Sequence, residues 1–178
     1  MNVPIRRVVN VRSLPKKGRS EAFEADGEVR ESLARFLDVP AVEAFSAEAD
    51  VTRWRGGGVR VAGRVRARLA QECVVTLEPI ETEIDEPFDA VFVPEDSPLA
   101  PVREGDVQMM VDAEGDDPPE TFAGDTLDLG PIWSEFLTLA VDPFPRRPDA
   151  ELADAGNEAE PSPFAALAAL KDRAANSN

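Results

Sequence analysis

Histidine and tyrosine are absent from this 178-residue chain, and cysteine occurs once, at Cys73. Without histidine, the Ser–His and Cys–His nucleophile arrangements cannot be built. A single cysteine excludes an intrachain disulfide, suits a reducing compartment, and leaves a structural zinc site without its usual donors. Aromatic residues make up only 6 % of the chain, so the interleaved rings that base-stacking sheets use are missing. No stretch approaches the roughly 20 apolar residues that span a bilayer, and the opening MNVPIRRVV has no signal-peptide run. These absences predict a cytoplasmic protein with no membrane contact, no metal, no cofactor and no small-molecule substrate. Among 35 acidic residues, no spacing singles out an acid/base pair. A non-enzymatic protein is expected, with no catalytic residue to name.

Charge is abundant and unevenly placed. The net charge is −16. Residues 1–70 hold 14 Lys/Arg against 9 Asp/Glu, a balance of +5, whereas residues 71–178 hold 5 against 26, a balance of −21. Nucleic acid would be repelled by the second part and could be steered toward the first.

The chain is organised around Val59–Pro79, VRVAGRVRARLAQECVVTLEP. Val59, Val61, Val65, Ala67 and Leu69 alternate with Arg60, Arg64, Arg66 and Arg68, the period of a strand with one apolar and one arginine-lined face. Ala44–Trp54 alternates Phe45, Ala47, Ala49 and Val51 against Ser46, Glu48, Asp50 and Thr52, and Arg55-Gly56-Gly57-Gly58 joins the two as a hairpin. Pairing Val51 with Val61 keeps the apolar faces together and sets Glu48 opposite Arg64. The chain turns near Glu78-Pro79 and returns as Ile80–Pro94, with Glu81, Glu83 and Asp85 beside the arginines.

Upstream, residues 3–12 read as a strand with Ile5, Val9 and Val11 on one face, followed by a basic loop, LPKKGRS. Asp26 is placed to cap a helix over 28–38 that Pro40 stops. Downstream, 95–120 reads as long Pro/Asp/Glu-rich loops with a strand-like run, Val107–Val111, and Thr121–Leu129 as a last short strand. A buried helix opens at Gly130-Pro131, with Pro131 in first position and Ile132, Trp133, Phe136, Leu137, Leu139 and Ala140 around it, and Pro143 ends it. Residues 149–162 form an acidic linker before Pro163–Lys171. The fold expected is α+β: an antiparallel meander of about five strands with two main helices in a single domain, 1–148, then a flexible acidic segment, 149–178, carrying a short helix.

Two interpretations of the arginine face stay open. Arg60, Arg64, Arg66 and Arg68, about 6.6–6.8 Å apart where they alternate, can track an RNA backbone, aided by Lys16, Lys17 and Arg19. Alternatively Glu48, Glu81, Glu83 and Asp85 neutralise them across strands. The Phe164, Leu167, Leu170 stripe either docks on a partner or folds back on its own core. Asp112, Glu114, Asp116 and Asp117 form an acidic loop without EF-hand spacing. Cys73 reads as a small core residue.

Three runs carry a family resemblance: GxVxAxLxxxCxVTLEPI over Gly63–Ile80 with FVP at 92–94, DLGPIWSEFLTLAVDPFPRRP over Asp128–Pro148, and the terminal PFAALAALK. In this order they resemble the YceD-like family of large ribosomal RNA subunit accumulation proteins, across about residues 40–171. The family pattern has Cys-x-x-Cys followed by leucine; Cys73 and Leu77 match, and Thr76 stands at the second cysteine. The resemblance implies a small cytoplasmic, non-enzymatic factor supporting accumulation of large-subunit (23S) rRNA, bound to precursor large subunits, their RNA or ribosomal proteins. The alternative is an acidic adaptor that binds basic ribosomal or other proteins without touching RNA.

Overall fold

The computed structural model describes residues 3–101 and 118–150. The Val107–Val111 run, the acidic loop from Asp112 to Asp117, and the Phe164, Leu167, Leu170 stripe lie outside the described residues. Five strands form one sheet in the order β2 (Arg19–Glu24), β3 (Ala41–Arg53), β4 (Val59–Glu72), β5 (Pro79–Pro94) and β6 (Glu120–Phe122). A separate two-stranded ribbon pairs β1 (Val8–Asn10) with β7 (Thr126–Asp128). Helices α1 (Gly27–Leu37) and α2 (Leu129–Ala140) complete an α+β fold. Among the described residues no helix is long and apolar enough to cross a membrane.

The β3–β4 register is the one the alternation predicts: Val51 faces Val61 and Glu48 faces Arg64. The turn between them works because Gly56 and Gly57 take φ of 66° and 77°, a region that costs glycine little. On β5, Ile84, Phe88 and Phe92 come onto the apolar face with Val61, Val65 and Leu69. Phe45, Ala47, Ala49 and Val51 of β3 join them, and Leu33 of α1 with Trp133 and Leu137 of α2 close the core above this face. Phe23 stacks on Trp133 at 5.9 Å and Phe88 on Phe136 at 4.8 Å. The other face of the sheet carries the charge. That asymmetry is what antiparallel pairing permits.

Asp26 caps α1 as expected, its side chain accepting from the Val29 amide at 2.9 Å, and Asp38 ends the helix in the left-handed region two residues before Pro40. Asp128 caps α2 by accepting from the Gly130 amide at 3.0 Å.

Several expectations need correction. Arg19 and Ser20, expected at the end of the LPKKGRS loop, instead open strand β2, which runs on through the unassigned residues to Glu24. The sheet is not a pure meander, because β6 pairs with β5 in parallel. Thr121–Leu129 is not one strand: Gly124, at φ 73°, turns the chain so that β6 and β7 join different sheets. The strand expected over 3–12 shortens to Val8–Asn10, although Ile5, Val9 and Val11 are all buried. The arginine strand ends at Glu72, not Pro79. Pro131 is the third residue of α2 rather than the first, still within the turn whose amides lack helical partners. Leu139 faces solvent at 74 % exposure.

Candidate functional site

The charged face is built by the even residues of β4, flanked by even residues of β3 and odd residues of β5. All four arginines of β4 are brought onto it, and each is held by carboxylates. Arg60 donates from Nε to both Asp89 oxygens, at 2.7 and 3.0 Å. Arg64 meets Asp85 at 2.6 Å. Arg66 lies 3.1 Å from Glu48 and 3.4 Å from Asp85. Arg68 lies 3.0 Å from Glu43, at the β3 bulge, and 3.4 Å from Glu81. Most of these contacts are diagonal: the residue directly opposite Arg64 is Pro87, and Asp85 is opposite Arg66.

The titration of the pairs follows from the contacts. The Arg60 guanidinium, hydrogen-bonded to Asp89, holds that carboxyl below the ordinary carboxylate range. Arg64 does the same to Asp85 through its hydrogen bond, with the charge of Arg66 adding to the shift. Exposed pairs of this kind add little stability, because water screens them. What they change is the field. Glu24, Glu43, Glu48, Asp50, Glu72, Glu81, Glu83, Asp85 and Asp89 share the face with the four strand arginines, nine carboxylates to four guanidiniums. A shallow cleft of about 600 Å³ opens there between Glu24, Glu43, Ser46, Arg66 and Asp85.

Lys16, Lys17 and Arg19 are not brought to this face. Lys16 and Lys17 are exposed in the loop before β2 and have no ion-pair partner among the described residues. Arg53 pins that loop by donating to the Leu14 carbonyl at 2.6 and 3.1 Å. Arg19 is opposite Val51, on the apolar side of the sheet, where it pairs with Glu21. Glu21 is nearly fully buried and also takes Arg7 at 2.7 Å. Its burial at a core position depends on those two guanidiniums.

Cys73 is fully buried, as a small core residue would be, yet its surroundings are polar. It opens a tight turn in which its amide donates to Glu78 O at 2.9 Å and its carbonyl accepts from Leu77 N at 2.8 Å. Val74 N donates to Pro145 O at 2.9 Å, which ties the turn to the segment after α2. The polar groups around the sulfur, first the Thr76 side chain and then the Arg147 backbone, lower its pKa to about 6. Sequence inspection shows only that a second sulfur is missing at 76. It does not show that the threonine serves the first. Among the described residues no three His, Cys, Asp or Glu side chains converge on a metal-sized site.

Residues 61–171 match the family model described as large ribosomal RNA subunit accumulation protein YceD. The match spans β4 to the segment beyond α2 and covers more than half of the chain, which therefore belongs to the YceD family. The family's description ties the chain to ribosome biogenesis and to the large subunit. No curated protein and no solved structure matches the chain.

Proposed function

We propose that this YceD-family chain supports large-subunit assembly by holding a basic ribosomal protein against its acidic sheet face, and that it acts without catalysis. The supporting observation is the ion pairing of Arg60, Arg64, Arg66 and Arg68 inside the sheet, on a face where the strands carry nine carboxylates against these four arginines. A phosphate approaching these arginines would have to displace carboxylates already bound to them, against net repulsion. A lysine- or arginine-rich segment meets the opposite situation, with Glu24, Asp50 and Glu83 lacking cation partners among the described residues.

The test is carbodiimide crosslinking of carboxylates to lysines in fractions containing large-subunit precursors, alongside ultraviolet crosslinking to RNA. Crosslinks from Glu48, Glu81 and Glu83 to ribosomal-protein lysines are expected. RNA crosslinks clustered at Arg64–Arg68 would overturn the assignment. RNA contact has a separate place available. Lys16 and Lys17, with no carboxylate partner among the described residues, form a cationic loop away from the acidic face, and precursor RNA crosslinks there are compatible with a protein partner on the sheet.

A further inference from the structure

β5 is bordered by β4 along its length, but β6 covers its other side only at Phe92–Pro94. Among the described residues no strand pairs with the outer edge of 79–91. Pro87 has no amide hydrogen, so the uninterrupted part of that edge is Ile80–Glu86. Seven extended residues span about 23 Å and point about three amides and a similar number of carbonyls outward. Such an edge invites pairing, and proteins commonly protect it with lysine, proline or a bulge. Here the protection is acidic. Glu81, Glu83 and Asp85 stand on one face and Glu86 on the other, with the Glu81 and Asp85 side chains 58 % and 59 % exposed. A second copy of this edge would set carboxylates against carboxylates, which disfavours self-pairing. A cationic strand would gain both the backbone ladder and the charge.

We propose that Ile80–Glu86 is an edge on which an extended basic protein segment pairs as an added strand. Its lysines or arginines fall beside Glu81, Glu83 and Asp85, and small apolar residues beside Thr82 and Ile84. This rests on the assignment of a basic protein partner made above, and it names where and how that partner binds.

The probe is a blocked ten-residue peptide of alternating lysine and valine, added to the full chain at low salt. A second peptide of the same sequence carries N-methyl groups on alternate backbone amides. Binding of the first peptide should slow hydrogen exchange of the 80–86 amides about tenfold or more. Glu83→Gln should weaken it about threefold or more; Glu83 has no cation partner among the described residues, and the neutral amide sets no like charge against Arg68 across the strands. N-methylation should abolish binding, because it removes ladder hydrogen bonds and leaves the charge. Equal binding of both peptides would overturn strand addition while leaving the acidic face as a partner site. Binding of neither would overturn the acidic face as well. Full protection of the 80–86 amides in the free chain would mean that the edge is already covered, and would also overturn the proposal.

Discussion

Gly130→Ala sets two physical effects against each other with opposite signs. Alanine is the better helix former, by up to about 1 kcal/mol, so propensity alone predicts a more stable α2. The tertiary contact predicts the reverse. A Cβ at residue 130 would lie 2.0 Å from the Ile5 carbonyl oxygen and 2.6 Å from its carbon, and both are backbone atoms that no rotamer change can move. Restoring an ordinary contact requires α2 and residues 5–7 to separate by roughly 1–1.5 Å. That shift would stretch two bonds across the same seam, Leu129 N to Arg7 O and Arg7 N to Asp128 Oδ1, both 2.8 Å. Overpacking costs about 1–3 kcal/mol, and the two stretched bonds add up to about 1 kcal/mol each. The expected net effect is destabilisation of about 2–4 kcal/mol, or about 5–15 °C in Tm. Urea titration should show a lower midpoint with an unchanged slope. An unchanged or raised midpoint would mean that α2 does not seat its first turn on Ile5, and the packing of the N-terminal segment on that helix would be wrong.

Thr76→Val should raise the Cys73 pKa from about 6 toward the ordinary thiol range, read from thiolate absorbance near 240 nm. Because the folded value is depressed, the thiolate's contribution to stability is fully present above about pH 9 and is lost as pH falls through about 6. The variant should flatten stability between those limits. Asp89 is also depressed, by Arg60, so its contribution is present above the ordinary carboxylate pKa of about 4 and is lost as pH falls below it. Asp89→Asn should make Tm less steep on the acid side, and an unaltered acid limb would count against the pair. Asp85→Asn releases Arg64 and Arg66 from their shared carboxylate, and should lengthen retention on heparin while leaving Tm nearly unchanged. A marked loss of Tm would show that the pair does more for the fold than an exposed ion pair does.

The central hairpin was legible because two independent signals agreed. The period-two alternation of β3 and β4 fixed the faces, and Arg55–Gly58 fixed the turn, so the register followed down to Glu48 opposite Arg64. β2 was hidden because RSEAFE places Glu21 on the core side, where no local pattern expects a carboxylate. Only the arrival of Arg7 from β1's approach and of Arg19 makes that position tolerable. β6 and β7 are three residues each, too short for alternation to register. Thr76 was visible as a departure from a cysteine pair. The second contribution at Cys73, from the Arg147 backbone, comes from a segment the chain reaches only after β5 and α2.

The arginine strand looks basic in sequence and sits on an acidic surface, and both facts have one cause. A sheet face with carboxylates on β3 and β5 and none of the β4 arginines would place like charges on neighbouring strands, which is destabilising. Arginine at the centre lets both flanking strands carry acids. Two of the guanidiniums reach both flanks at once, Arg66 with Glu48 and Asp85 and Arg68 with Glu43 and Glu81. With four cations spent on the centre, the surplus of carboxylates is displaced to the flanks: Glu24 and Asp50 on the β2 side, Glu83 on the β5 side. Linear charge therefore does not describe the field of this face. The +5 balance of residues 1–70 is largely consumed within the fold, and the remainder on this face is acidic and lies beside a strand edge that no described strand covers.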